Sequence, residues 1–276
     1  MLRKKNPLSC RIICEKTTTL FKTHGKDYLF DDLNCFEFPS KKNYVIKASM
    51  TSSSSVKEQS DSLLVVIKYF NPEREDYLDA WQNEIDFVER SRNLFPMDSL
   101  PPIIDCIPGI ILYPYYEGFT YQDLLLKKNL SSNALILLVE WFFRLHQNGY
   151  RFGDPRLQNF FYTYDNRLIV FDCEEVRMIT PQGEVYELLS AFIDLEPNYK
   201  ITHDLYSVQK MIEFFTLYKQ MHFKTESNQK LGRRFSNRIA NQIISALRKT
   251  LKRRNEKLNK AQWQQIASEL HLAFNI

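Results

Sequence analysis

Three polar residues near the middle of the chain have the types and the spacing of a metal site. Asn159 follows Asp154 by five residues, and Asp172 follows Asn159 by thirteen residues. Asp172 ends the apolar run "RLIVF", where its carboxylate is expected to leave the core. Carboxylate and amide oxygens are hard donors that suit Mg²⁺. Each residue taken alone also fits a turn, a helix cap or a strand end, so the surrounding elements must decide between these interpretations.

A buried lysine and a helical glutamate form a second candidate pair. Lys68 lies near the end of the apolar run "LLVVIKYF", and Glu84 follows sixteen residues later in a helical pattern. A buried ammonium group is costly unless it has an opposite charge, so Glu84 is the expected partner of Lys68. Lys47 in "YVIKAS" is a rival for Lys68, but no glutamate follows it at a comparable spacing. Glu89 is a rival for Glu84, and the helical register favours Glu84.

The elements that must position these residues begin with strands. The runs "DYLF", "CFEF" and "NYVIKAS" alternate apolar and polar residues, which predicts strands joined by polar turns over residues 1–62. "LLVVIKYF" predicts a buried strand, and "YLDAWQNEIDFVERSRNLF" predicts a helix. "GIILYPYYEGFTYQDLLLKK" predicts a strand, a loop and a short helix. The Ser-rich segment 50–62 is expected to be a flexible loop.

Helices dominate the prediction for the rest of the chain. "SSNALILLVEWFFRLHQNG" predicts a buried helix with Ser131 or Ser132 as its N-cap and Gly149 at its C-terminal end. His146, near the end of this helix, is interpreted as a packed structural residue and not as a base. "NFFYTY" and "RLIVFD" predict a hairpin. The chain is expected to be mostly helical from about residue 184.

Together these elements predict an α+β fold with two lobes. Residues 1–112 are expected to form a small β-rich lobe with one main helix, and residues 113–120 to form a connector. Residues 121–223 are then a larger, mainly helical lobe, and residues 224–276 are a basic helical extension.

The five polar residues in this order resemble the protein kinase-like fold, over roughly residues 25–220. The resemblance implies that Lys68 grips the α- and β-phosphates of ATP and that Glu84 orients Lys68. It implies that Asp154 accepts the proton of the acceptor hydroxyl, and that Asn159 and Asp172 hold Mg²⁺.

The segment "LYPYYEGFTYQDLL" resembles the connector between kinase lobes. Pro114 has no N–H, but a connector that binds adenine needs only a carbonyl group at that position. Tyr116 has both a backbone N–H and a carbonyl group to offer. The resemblance therefore places Pro114 and Tyr116 beside ATP.

A narrower resemblance concerns the acceptor. "GDPRLQNF", the later "FD" and "FIDLEPNYKITHDLYSV" look like the lipopolysaccharide core heptose kinases, which end in basic helices and act at the cytoplasmic face of the inner membrane. Aminoglycoside phosphotransferases and RIO-type atypical protein kinases show related patterns. The resemblance implies a kinase of lipopolysaccharide biosynthesis, with a protein or a small molecule as alternative acceptors.

The chain also departs from the kinase pattern. The glycine-rich phosphate loop is replaced by "PSKK", where Lys41 and Lys42 can supply charge in place of backbone amides. Glu174, in Asp-Cys-Glu, is either an added metal ligand or a solvated carboxylate. Arg156 either neutralises the transferring group or binds a neighbouring carboxylate. The absence of an Ala-Pro-Glu segment favours a small or lipid-linked acceptor over a peptide.

Charge is distributed unevenly along the chain. Residues 224–260 contain 12 Lys and Arg and two Glu, a local charge of +10, which leaves −6 for the remainder. Apolar residues at helical spacing predict an amphipathic helix here. Its basic face is either a solvated surface or a contact for an anionic glycolipid, protein, membrane or nucleic acid, although no specific nucleic-acid motif is present.

The cysteines and the N-terminal residues bear on the cellular compartment in which the protein is expected. Five cysteines at irregular spacing, without a CxxC pair, predict free thiols in a reducing compartment. No secretory signal and no membrane-spanning run is recognised, so a cytoplasmic protein is expected, in peripheral contact with the membrane. The sequence thus predicts an ATP- and Mg²⁺-dependent phosphotransferase. The alternative is a nucleotide-binding pseudokinase that acts as a binding module.

Overall fold

The chain forms two compact units with mixed helix and strand. The computed structural model describes residues 7–38, 42–52, 62–95, 99–178, 187, 188, 191, 205–222, 240, 241, 244, 245, 248 and 259–274. The first unit consists of Met1–Arg90 and Pro101–Glu117, and the second unit consists of Ser91–Leu100 and Gly118–Ile276. Both units combine helices with antiparallel strands, so the predicted α+β class is confirmed.

The first unit is built on a five-stranded antiparallel sheet with the order β1-β2-β3-β5-β4. Its strands are β1 (Tyr28–Phe38), β2 (Tyr44–Ser52), β3 (Leu63–Tyr69), β4 (Asp105–Ile107) and β5 (Ile110–Pro114). The predicted runs "DYLF" and "CFEF" belong to one strand, because β1 continues through an irregularity between Asp31 and Phe36. The predicted loop 50–62 begins too early, since β2 extends to Ser52; residues 53–61 lie outside the described residues.

Two helices cover this sheet, one on each face, so the prediction of one main helix is wrong. Helix α1 (Pro7–Thr23) buries Cys10, Ile13, Cys14 and Phe21, whose spacings of three, one and seven residues place them on one apolar face of the helix. The prediction of strands is therefore wrong for this part of residues 1–62. The apolar face of α1 packs against inward-facing residues of the sheet.

Helix α1 ends in a glycine cap. Gly25 has φ +74°, its N–H bonds Lys22 O at 3.0 Å, and the N–H of Lys26 bonds Phe21 O at 3.0 Å. This 5→2 and 6→1 pair of bonds satisfies two of the last carbonyls of the helix.

A disulfide joins α1 to β1, so the prediction of five free thiols is wrong. Cys10 and Cys35 are bonded, with a Cα–Cα distance of 6.2 Å, because the packing of α1 on the sheet brings them together. Cys14, Cys106 and Cys173 are free. Burial raises the pKa of the Cys14 thiol to about 12, and the nearby Asp32 and Asp31 add to the rise. Cys14 is therefore no nucleophile for this disulfide at neutral pH.

Helix α2 (Tyr77–Ser91) covers the opposite face of the sheet. Ala80 and Ile85 on α2 pack against Val66 of β3 and Ile111 of β5. The predicted helix is confirmed, and a short 3-10 turn follows at Arg92–Leu94. Glu84 lies on the buried side of α2, which is the condition for contact with a strand residue.

The second unit has a helical and aromatic core. It contains the helices α3 (Tyr121–Leu126), α4 (Ser132–Gln147), α5 (Leu205–His222) and α6 (Lys260–Phe274). The buried helix predicted from the sequence is confirmed as α4, with Ser131 as its N-cap and Gly149 at φ +78° beyond its end. Trp141 of α4 is fully buried and stacks on Phe95, whose segment therefore belongs to this unit.

Short strands position the central loop of the second unit. These are β6 (Gly118–Thr120), β7 (Tyr150–Arg151), β8 (Phe160–Thr163), β9 (Leu168–Val170) and β10 (Arg177–Met178). Strands β8 and β9 are the predicted hairpin, which is confirmed. The loop that carries Asp154 lies between β7 and β8, and Asp172 follows β9.

The structure describes only part of the C-terminal region. Most of the basic segment 224–260 lies outside the described residues. Within the described part, Arg248 lies over the ring of Trp263, 5.6 Å from its centroid. None of the described helices has both the length and the apolar character that crossing a membrane requires.

Candidate functional site

The first polar cluster is a buried ion pair in the first unit. Lys68, on β3, is 4% exposed and pairs with Oε2 of Glu84 on α2, which is 1% exposed. The hydroxyl of Tyr113 donates to the other oxygen, Oε1 of Glu84, at 2.7 Å. The ammonium of Lys68 also lies 4.8 Å from the centroid of the Phe70 ring. The sequence named these two charged residues as partners, and the sheet and helix bring them together.

The rival residues take different positions. Glu89 is exposed on α2, so burial distinguishes it from Glu84. Lys47, on β2, places its ammonium 4.2 Å from the centroid of the Tyr115 ring. Lys47 is therefore held by an aromatic ring and not by a glutamate.

The remaining residues predicted to contact ATP are Pro114, Tyr116, Lys41 and Lys42. Pro114 ends β5, and Tyr116 follows it; both are half-buried. The hydrogen bond from Arg74 lowers the pKa of the Asp76 carboxyl, and the charge of the half-buried Lys42 adds a smaller lowering. Lys41 lies outside the described residues.

The second polar cluster lies in the loop before β8 in the second unit. Arg156 donates through Nε to Oδ1 of Asp154 at 2.6 Å and pairs through Nη2 with Oδ2. This fork resolves the alternatives for Arg156 in favour of a neighbouring carboxylate. The Asp154 and Arg156 side chains are 13% and 24% exposed, so the pair remains accessible from outside the loop.

Asn159 holds this loop closed and joins it to the end of β9. Its Nδ2 donates to the backbone oxygen of Asp154 at 3.0 Å. Its own carbonyl accepts from the N–H of Phe171 at 2.9 Å, which brings the residue before Asp172 beside the loop. The sequence separated Asn159 and Asp172 by thirteen residues, and the hairpin brings their backbones together.

Asp172 and Glu174 form a pair of adjacent carboxylates. Asp172 has φ 63° and ψ 51°, a left-handed conformation that aspartate tolerates better than most residues. A carboxylate oxygen of Asp172 lies within 4.8 Å of a carboxylate oxygen of Glu174. Glu174 is only 5% exposed, so the alternative of a solvated carboxylate is wrong. Two carboxylates this close together, one of them buried, favour a bound cation.

A hydrogen-bonded chain that the sequence did not reveal supports the loop from behind. Glu187 accepts from the backbone N–H of Gly153 through Oε1 at 2.8 Å, and its Oε2 lies 2.8 Å from Nε2 of His146. Nδ1 of His146 lies 2.8 Å from the hydroxyl of Tyr218. His146 is buried in this chain, which agrees with its interpretation as a structural residue. No spacing signal in the sequence identified Glu187.

Gly153 itself is required by its surroundings. It has φ +87°, and a Cβ atom added here would lie 2.3 Å from the carbonyl oxygen of Glu175. The backbone before Asp154 therefore passes so close to the segment after Asp172 that only glycine fits.

Comparisons with family models and with curated proteins do not assign the chain to a family. The chain matches no protein-family model, and a search of curated proteins found no match.

Proposed function

We propose that the chain is an ATP- and Mg²⁺-dependent phosphotransferase of the protein kinase-like fold that transfers the γ-phosphoryl group to an alcohol. The buried ion pair of Lys68 and Glu84 carries this proposal. An apolar pair of similar volume would commonly be as stable, so a buried lysine at this place favours a role in binding. An ammonium group carries a positive charge and three donors, and both properties suit phosphate oxygens.

The residues proposed to hold Mg²⁺ are Asn159 and Asp172, with Glu174 beside them. Two close carboxylates, one of them buried, are hard-oxygen donors that fit this ion, and the amide oxygen of Asn159 has the same donor chemistry. When bound, Mg²⁺ would neutralise charge on the phosphates. The backbone bond between Phe171 and Asn159 keeps the two ligand segments together.

Asp154 is proposed as the residue that accepts the proton of the acceptor hydroxyl. Arg156 fixes the orientation of its carboxylate through two donors. Each carboxylate oxygen keeps a second lone pair for an acceptor hydroxyl. The hydroxyl oxygen then bonds to the γ-phosphorus, ADP leaves, and the hydroxyl proton moves to Asp154.

The proposed acceptor is a sugar hydroxyl of the lipopolysaccharide core, as the resemblance to heptose kinases implies. The basic segment 224–260 would attract such a phosphate-rich glycolipid. The reaction would take place in the cytoplasm, at the inner face of the membrane. A protein or a small molecule is the alternative acceptor.

A second candidate function is a nucleotide-binding pseudokinase. One observation favours it: both carboxylate oxygens of Asp154 are already engaged by Arg156. The sequence "PSKK" in place of a glycine-rich loop points the same way. Such a protein would bind ATP without transferring phosphate.

Nucleotide binding and phosphate transfer, measured separately, distinguish these functions. Calorimetry is expected to detect ATP binding that requires Mg²⁺ and that weakens in Lys68→Ala. Transfer of labelled γ-phosphate is then assayed with core glycolipid, peptides and aminoglycosides as acceptors. Binding without transfer to any of them would favour the pseudokinase. Equal ATP affinity with and without Mg²⁺ would contradict the metal site.

A matched pair of aspartates tests the role of Asp154. Asp154→Asn is expected to lower turnover by about 10²- to 10⁴-fold and to spare ATP binding, since the residue positions the acceptor. Asp165 is also paired with an arginine two residues later, at 2.7 Å, but on the exposed tip of the hairpin. Asp165→Asn should leave turnover unchanged. Loss of ATP binding in Asp154→Asn would reassign the residue to the nucleotide.

A further inference from the structure

Lys47 lies on the same face of the five-stranded sheet as Lys68. It pairs with Val66 across the antiparallel ladder, and Val45 pairs with Lys68. Residues directly opposite in such a ladder share a face, as do residues two apart along one strand. This is the face that α2 partly covers, opposite to the face that packs against α1.

Tyr115 completes this arrangement at one end of the face. Lys68 is paired with Ile111, and Tyr115 comes four residues later, about 13 Å along the strand direction. The N–H of Tyr115 donates to the carbonyl of Leu64 at 3.1 Å, which keeps Tyr115 beside β3. Lys47 itself pairs with Val66, two residues from Lys68, so its backbone lies about 7 Å from Lys68 along the strands and its ammonium contacts the ring of Tyr115. Lys68 and the pair of Lys47 and Tyr115 are therefore two cationic positions on one face, at a spacing that the phosphates and the base of one nucleotide can bridge.

The contact between Lys47 and Tyr115 keeps the ammonium in place without using up its donors. The ammonium lies 4.2 Å from the ring centroid, where the π-electrons attract its charge. Across the residues that the structure describes, no carboxylate forms a salt bridge with Lys47. Both side chains are half-buried and hence partly open to a ligand.

We propose that Lys47 selects the base of the nucleotide and favours purines that carry an oxygen at position six. An ammonium group has three donors and no acceptor. Guanine presents the acceptors O6 and N7, whereas adenine presents a donor amino group at position six beside N7. GTP and inosine triphosphate therefore bind more tightly than ATP, which remains a weaker substrate. The inference rests on the proposed function, because it takes Lys68 as the phosphate site.

Inosine triphosphate provides the sharpest test, because its base carries O6 but lacks the 2-amino group of guanine. Calorimetry with Mg²⁺ is expected to show that the wild-type chain binds GTP and inosine triphosphate about tenfold more tightly than ATP. Lys47→Met should bring the three affinities together. Lys47→Arg, which keeps the donors, should preserve the preference.

Two further variants separate this inference from the proposed function. Lys22 is exposed on α1, which packs on the other face of the sheet, and Lys22→Met should change no affinity. Lys68→Ala should weaken all three nucleotides alike. Equal affinities for the three nucleotides in the wild type, or an unchanged preference in folded Lys47→Met, would overturn the role of Lys47 alone. If no nucleotide binds to the wild type, both the inference and the proposed function fail.

Discussion

At the scale of single residues, Glu187 connects the start of the Asp154 loop to the buried helix α4. Its carboxylate joins the backbone N–H of Gly153 to the ring of His146, and His146 in turn contacts Tyr218. All three side chains are buried, so the loss of one partner leaves the others without a replacement from water. The position of Asp154 therefore depends on residues distant in sequence.

Glu187→Ala tests this dependence. We expect the free energy of unfolding to fall by about 2–3 kcal/mol, because the N–H of Gly153 and the His146 ring each lose a buried partner. The control is Glu213→Ala on α5, where the carboxylate is 35% exposed and pairs with Lys210 at 2.8 Å. There we expect a change below about 1 kcal/mol in urea denaturation. Equal effects in the two variants would contradict the special role of Glu187.

Substitution of two glycines distinguishes the cost of a strained φ angle from the cost of a steric clash. Gly153→Ala is expected to destabilise the protein by more than about 2 kcal/mol, because the new Cβ would meet the Glu175 carbonyl oxygen at 2.3 Å in addition to straining φ. Gly25 has a similar φ of +74° but open space around its Cα. Gly25→Ala should cost only about 1–2 kcal/mol. Thermal unfolding measures the loss of stability in the two variants. A larger loss in Gly25→Ala than in Gly153→Ala would refute the close approach at Gly153.

At the scale of elements, the first unit is a sheet held between two helices with different attachments. Helix α2 contributes the buried charge of Glu84 to the sheet, whereas α1 contributes apolar contacts and a disulfide. The Cys10–Cys35 bond closes a loop with a sequence separation of 25 residues. This cross-link restricts the unfolded chain more than it alters the folded packing.

Reduction of this disulfide is expected to lower the free energy of unfolding by roughly 3 kcal/mol. Urea denaturation with and without a phosphine reductant measures the change, and Cys35→Ser should show no response to the reductant. Thiol titration of the unreduced, denatured chain should count the three free cysteines Cys14, Cys106 and Cys173. A count of five would show that the pair is a dithiol, as a reducing cytoplasm favours.

At the scale of the whole molecule, charge is the dominant asymmetry. Residues 224–260 carry +10 and the remainder carries −6. Such a segment attracts anionic surfaces over about 8–10 Å at physiological salt. The proposed association with an anionic glycolipid would use this segment, which is separate in sequence from Lys68 and Asp154.

Vesicle co-sedimentation tests this association. We expect the wild type to bind vesicles of phosphatidylglycerol and phosphatidylethanolamine at low salt and to dissociate at high salt. Replacing Lys252, Arg253 and Arg254 by glutamine should weaken binding by about 1 kcal/mol per charge. Vesicles of phosphatidylcholine serve as the uncharged control. A wild type that stays in the supernatant at low salt would favour a soluble acceptor.

Features that depend on local pattern could be predicted from the amino-acid sequence alone. Alternation and apolar runs predicted β2, β3 and the hairpin of β8 and β9, because neighbouring residues of a strand point to opposite faces. Helical periodicity and terminal residues predicted α2 and α4. The same periodicity placed Glu84 on the buried side of its helix. Helix α1 was not predicted, although its apolar residues have helical spacing.

Contacts between residues distant in sequence, in contrast, depend on the packing of the folded chain. The sequence left the carboxylate partner of Arg156 open, and the turn of the loop brings Asp154 into contact with it. Nothing local distinguished Glu187 from other glutamates or Cys35 from other cysteines, and Glu174 was buried by packing and not by its own pattern. Such contacts join residues many positions apart, whereas periodicity records only which side of its own element a residue faces. The chain must fold before those sides are paired.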